Sequence, residues 1–285
     1  MLAAIARQRF ALLILPVAFL LGCPPRRVDF GKDGAPTSAK DLLARVNFAE
    51  SQVFSLKGDG RLGVDSPQGK GSVTLFAAVQ HPAFIHIEQL DFFGKPQGVF
   101  VTDGERFGLY MAQEGKFFRG PATAANLSRF LPIVMPPSEL ASVMLGRAPR
   151  IPIRSADQSA GAVDELEMRF DDSLQLFVLT ITRGKVRQIL HVQPPSYRVV
   201  KSRAENLNAY ELDFSDITTI EPSGVTVPKT AALDARLAKT KVELVWKEMA
   251  VNEAPDMTLF DLAPPEGIPV VEVDANGDPS QPPAQ

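Results

Sequence analysis

Apolar and polar residues alternate with a period of two over much of the chain, and turn formers interrupt the alternation at intervals, which predicts an antiparallel meander. Val73, Leu75, Ala77 and Val79 recur at every second position, and Phe107, Leu109 and Met111 alternate with Gly108 and Tyr110. Between the apolar run Gly98 to Val101 and that second strand stands Asp103-Gly104, a strong short-range hairpin signal. Leu166, Met168 and Phe170 lie between charged neighbours, followed by Leu174 to Ile181, by Tyr210, Leu212 and Phe214, and by Val242, Leu244 and Trp246. Roughly ten strands are expected, all in one long curved sheet.

Three helical patches interrupt the alternation. From about Ser38 to Val53, Leu42, Leu43, Val46, Ala49 and Val53 form a helix-spaced stripe capped by Thr37 or Ser38. A second patch, Ala122 to Leu131, groups Leu127, Phe130 and Leu131; a third follows Pro136-Pro137, aligns Leu140, Val143 and Met144, and ends at Gly146. The last two are too short to stand alone, so sheet or ligand must cover their apolar faces. The expectation is an α+β architecture, a curved antiparallel half-barrel whose concave face is lidded by short helices. Space left under the lid is an apolar cleft suited to an acyl chain; a fully packed core is the alternative.

The termini differ from this middle. Arg7 and Arg9 precede the apolar stretch Phe10 to Leu21, which at about a dozen residues is short of the ~20 needed to span a bilayer and reads as a signal peptide over 1–22. Cys23, the single cysteine, follows at once. Residues 23–36 are rich in Pro, Gly and charge and read as a flexible tether, the domain occupies 37–273, and 274–285 reads as a disordered tail. The chain is 45% hydrophobic with a formal net charge of −3, enough for a real core and without the clustered positive charge that nucleic acid calls for.

Motifs for catalysis fail on context. Gly58, Gly60 and Gly63 spell G-x-G-x-x-G, yet Val64, Asp65, Ser66 and Pro67 follow instead of a helix, so these read as strand glycines at a bend. His81, His86 and His191 are scattered with no metal-ligand spacing, and Asp171-Asp172 reads as a turn. No catalytic residue, cofactor or metal is expected, and the chain reads as a non-enzyme.

Two resemblances sharpen the functional expectation. Leu20-Leu21-Gly22-Cys23 resembles the bacterial lipoprotein box, which implies cleavage before Cys23 and its modification by diacylglycerol and an amide-linked chain such as palmitate. Several chains hold a protein on a membrane far beyond the marginal binding of one. Pro24 in place of Asp looks like the outer-membrane choice of enteric lipoproteins. The order Leu90-Asp91-Phe92-Phe93-Gly94, Asp103-Gly104, the helix Ala122 to Leu131, Leu131-Pro132-Ile133 and the helix ending Leu145-Gly146 resembles the LolB family of outer-membrane lipoprotein receptors, relatives of the periplasmic carrier LolA. Val225 to Lys229 and Ala254 to Leu262 resemble closing segments of LolA-like proteins; the chain is longer than typical LolB and carries Phe where that family has Leu.

That resemblance implies a hydrophobic cavity for acyl chains or lipoprotein cargo, an outer-membrane anchor with the domain facing the periplasm, and a LolA-like carrier as partner. Phe92 and Phe93 would form the insertion loop. Leu127, Phe130, Leu131, Leu140, Val143 and Met144 are expected on the lid, with Phe107, Leu109, Met111 and Trp246 lining the sheet. A non-catalytic envelope scaffold with a filled core is the rival expectation.

Overall fold

The computed structural model describes residues 28–128, 134–150, 165–205, 210–261 and 263–279. The expected signal peptide, Cys23, Phe130, Leu131 and residues 280–285 of the expected tail lie outside them. Helix α1 (Ala39–Ser51) leads into a meander of β1 (Ser55–Ser66), β2 (Gly69–Gln80), β3 (Phe84–Leu90), β4 (Pro96–Thr102), β5 (Arg106–Met111) and β6 (Lys116–Pro121). Two short helices follow, α2 (Ala124–Leu127) and α3 (Pro137–Met144). A second meander runs through β7 (Glu165–Asp171), β8 (Leu176–Arg183), β9 (Val186–Gln193), β10 (Arg198–Glu205), β11 (Tyr210–Ile220), β12 (Val225–Ala235) and β13 (Thr240–Val251), and β14 (Val270–Glu272) ends the series.

All of these strands join one 14-stranded sheet in the order β14-β6-β5-β4-β3-β2-β1-β13-β12-β11-β10-β9-β8-β7. Pairing of β1 with β13 welds the two meanders, and the edges β14 and β7 stay apart, so the sheet is an unclosed half-barrel. The α+β expectation holds; the expectation of about ten strands was too low, in part because β14 has only three residues. Apart from the parallel β14–β6 pair, the ladders are antiparallel.

The G-x-G-x-x-G glycines lie inside β1, as the absence of a following helix suggested. The register of β1 on β13 shifts between Asp59 and Gly60, a bulge that bends the strand. A Cβ on Gly58 would stand 2.0 Å from the Glu248 carbonyl oxygen. Close backbone approach therefore requires glycine at this bend. Gly58→Ala is expected to destabilise the fold by about 3 kcal/mol, read from urea unfolding, because rigid backbone rather than a pliable side chain must yield.

Helix α1 lies over the second meander, inserting Leu42 and Val46 among the buried Phe177, Leu179, Leu190, Val192 and Leu212. Ser38 caps it by accepting from the Asp41 amide. Part of the tether expected to be flexible is held, at Phe30. The Phe30 ring stands 5.5 Å from Phe170 and 5.6 Å from Phe177, and its carbonyl accepts the Tyr197 hydroxyl at 2.7 Å. Arg45 donates to the Gly34 carbonyl at 2.6 Å and to the Tyr197 hydroxyl at 2.8 Å. Composition hid this because a single aromatic is enough to pin an otherwise polar stretch.

The C-terminal segment wraps the outer face. A 3₁₀ turn (Met257–Phe260) brings Phe260 to 5.5 Å from Phe84, and His86 meets the Leu259 carbonyl at 2.6 Å and Glu88 at 2.8 Å. Residues 274–279, expected to be disordered, form a turn in which the Asp274 carboxylate accepts the Asn276 and Asp278 amides. The Asp274 and Ala275 carbonyls accept from Asn126 and Thr123, fastening the turn to α2.

Candidate functional site

The two halves of the concave face are filled differently. Beneath α1 the barrel is packed with its own side chains, whereas a groove of about 280 Å³ remains over the first meander beside α2. Antiparallel register builds its floor in cross-strand rows. One row is Ala77, Ile87, Phe100 and Leu109, and the next is Leu75, Gln89, Gly98 and Met111. Because residues two apart share a face, the same alternation that makes the strands also makes the floor apolar. Beyond the end of β3 the β1–β2 hairpin overhangs, and Leu62, Val64 and Val73 form one wall. Leu127 of α2 forms part of the other.

Among the described residues no ionisable side chain lines this groove; its polar lining is Gln89, Gln97 and Gln113. These amides stand near the ends of β3, β4 and β5, at the open rim. Neutral donors and acceptors at the edge of an uncharged trough suit the ester or amide head of an acyl group, with the hydrocarbon beyond it. A volume of about 280 Å³ is at the low end of ligand pockets, roughly 300–1,000 Å³, so the groove shelters part of a long chain.

The β3–β4 turn sits at this rim. Asp91 accepts the Phe93 and Lys95 amides, both at 2.8 Å, and the Gln97 side-chain amide at 3.3 Å. Gly94 takes φ +76°, which lets its amide return to the Asp91 carbonyl. The tight turn leaves Phe92 and Phe93 96% and 82% exposed, their rings edge to face at 5.5 Å. Two adjacent rings this exposed bury little apolar surface and so add little to the stability of the fold.

A polar knot seats both lids. Arg198, almost fully buried at the start of β10, donates to the Ala49 carbonyl at 2.9 Å, to Leu145 at 3.5 Å and to Gly146 at 2.6 Å. It thus occupies the C-terminal ends of α1 and α3 together, where the helix dipoles favour a cation. Gly146 ends α3 at φ +68°, with its Cα against Pro228, as its place in the sequence suggested. Arg147 reaches the Val53 carbonyl, and Arg150 pairs with Glu50 at 2.8 Å. Burial pushes Arg198 down to about 10, partly opposed by Glu50, and lowers Arg147 as well. Burial also raises the Glu139 carboxyl on α3.

The sequence-derived lining falls into groups. Leu109, Met111 and Leu127 line the groove. Phe107, Leu140 and Met144 are buried, and Val143 half-buried, in the packed core beside it. Trp246 is buried over Gly60, whose Cβ would meet its ring at 3.4 Å. Phe130 and Leu131 lie outside the described residues. Leu62, Leu75, Ile87, Gly98 and Phe100 were missed; extending the face of Leu109 across its neighbouring strands would have found them, but cross-strand register is not written in one strand.

No family model matches the sequence, and no curated protein matches it. Solved structures show the fold. The chain is similar to a DUF1329 family protein from Desulfovibrio piger, with a TM-score of 0.54 at 10% identity over 78% of this chain and 95% of that one. It is similar also to a LolA superfamily protein from Nitrosomonas europaea, with a TM-score of 0.50 at 12% identity over 79% of this chain and 98% of that one. The half-barrel with short helices is therefore a fold that this chain shares with these two proteins.

Proposed function

We propose that the protein binds acyl chains in the groove over β1–β5 and acts, without catalysis, in handling lipid or lipoprotein cargo in the bacterial envelope. Cys23 carries the lipid that holds it in the outer membrane, the domain faces the periplasm, and acylated cargo arrives on a LolA-like carrier. The observation that carries acyl binding is the trough, uncharged among the described residues, opening beside an exposed Phe92–Phe93 turn. A chain of about 14 methylenes carries about 11 kcal/mol of transfer free energy, so a receiver must cover a good part of it.

The full-length chain bearing Cys23→Ser, mixed with a fluorescent fatty acid, should show saturable uptake that unlabelled palmitate displaces. Phe92→Ser with Phe93→Ser should leave this equilibrium uptake unchanged and slow transfer of the probe out of vesicles. Absence of saturable uptake, together with native mass spectra of ligand-free protein only, would sink acyl binding and favour the scaffold.

A further inference from the structure

The groove over the first meander has an inner end, and rows of the sheet mark its depth. Outermost on the floor, Val73 pairs with Leu62. Two residues further along β2 comes the row of Leu75, Gln89, Gly98 and Met111, and two further still the row of Ala77, Ile87, Phe100 and Leu109. The next row, Val79, Ile85, Thr102 and Phe107, is buried and stands outside the lining. Among the described residues the trough therefore stops at Phe100 and Leu109. Exposure falls in the same direction: Gln89 and Gln113 are exposed at the rim, whereas Phe100 and Leu109 are buried.

From Val73 to the row of Phe100 the floor is about 14 Å long, at ~3.4 Å per strand residue. An extended alkyl chain advances ~1.3 Å per carbon, the projection of C–C bonds of about 1.5 Å, so this length takes about eleven carbons. Volume supplies an independent count. A methylene fills about the space of a water molecule, ~30 Å³, so a groove of about 280 Å³ holds about nine. Length and volume agree on about ten carbons, which leaves no room for a second chain beside the first. Gly98 stands in mid-floor between Gln89 and Met111, one row short of the inner end. A Cβ there would have its nearest contact at 3.6 Å, from the Tyr110 carbonyl oxygen, so a side chain at this position would fill the trough rather than strain the sheet.

We propose that the groove is a length gauge for a single acyl chain: it takes the terminal stretch of about ten carbons, methyl end inward, and Gly98 sets its reach. The proposal rests on acyl binding in this groove and adds how many chains enter and how far. Orientation follows from the lining, since the amides of Gln89, Gln97 and Gln113 stand at the mouth and the hydrocarbon side chains of Phe100 and Leu109 at the inner end. Carbons beyond that reach stay outside and add nothing to affinity. A lipid with several chains enters with one of them.

The full-length Cys23→Ser chain is loaded with a fluorescent fatty acid, and unlabelled saturated fatty acids from octanoate to stearate, each below its micellar concentration, compete for the site. Affinity should rise about fourfold per methylene up to decanoate, the worth of burying one from water, and change less than about threefold in all from dodecanoate to stearate. Native mass spectra should show a single fatty acid per chain. Gly98→Leu, whose side chain places four carbons on the floor, should move the break down by about four carbons, so that octanoate and palmitate bind within about threefold of each other. Leu109→Ala, at the inner end, should move it up by about three carbons; if that variant does not fold, Gly98→Leu decides alone. A rise that continues to palmitate, a break that Gly98→Leu leaves in place, or two fatty acids per chain would each overturn the gauge and leave acyl binding standing. No saturable uptake at any length would remove acyl binding, and the gauge with it.

Discussion

Arg198→Met should cost about 4 kcal/mol in urea unfolding, the largest loss expected from a single side chain here. The substitution keeps the volume and strips the donors from carbonyls at Ala49, Leu145 and Gly146, and an unsatisfied buried acceptor costs about 1–3 kcal/mol. Arg198→Lys keeps the charge but offers a single ammonium where a planar fork spans two helix ends, so about half of the loss should remain. Equal stability of the Met variant and the parent would show that packing alone seats α1 and α3. Because α3 rests on β2 and β3, the Met variant should also bind the fatty-acid probe more weakly at a temperature where it is still folded.

Gly98→Phe should lower probe affinity at least tenfold while leaving unfolding free energy within about 1 kcal/mol of the parent. Gly98 lies in the groove floor beside Gln89 and Met111, and a Cβ there would have its nearest contact at 3.6 Å, from the Tyr110 carbonyl. The new ring therefore enters the trough without straining the sheet and occupies much of its roughly 280 Å³. Gly98→Ala serves as the graded control, with a loss of less than threefold. Undiminished uptake by the Phe variant would place the acyl chain somewhere else.

How far the sequence carried is clearest at particular residues. Period-two alternation in β2, β5 and β13 made the meander legible, and the cap at Ser38 and stop at Gly146 marked helix ends to within a residue or two. The bend at Gly58 and Gly60 was legible as strand glycines with no helix after them; that the cause is the Glu248 backbone crossing close by depends on a strand nearly 200 residues away. Lining was half legible for the same reason. Leu109 and Met111 share a face visible in one strand, but whether Phe107, also on that face, reaches space or packing is decided by α3 and the neighbouring strands. Arg198 could not have been found at all, since a buried guanidinium looks in sequence like one more charge in an exposed strand. The tether erred in the opposite direction: Phe30, one ring among polar residues, docks the described part of a predicted leash.

The apolar groove that the described residues leave beside α2 is the physical basis of everything proposed about activity. Photo-crosslinking the full-length chain with a diazirine-bearing fatty acid, followed by peptide mapping, tests it most directly. Labels should concentrate on Leu62, Leu75, Phe100, Leu109, Met111 and Leu127 and vanish in Gly98→Phe. Labelling confined to the outer face, or to the packed side chains beneath α1, would contradict it.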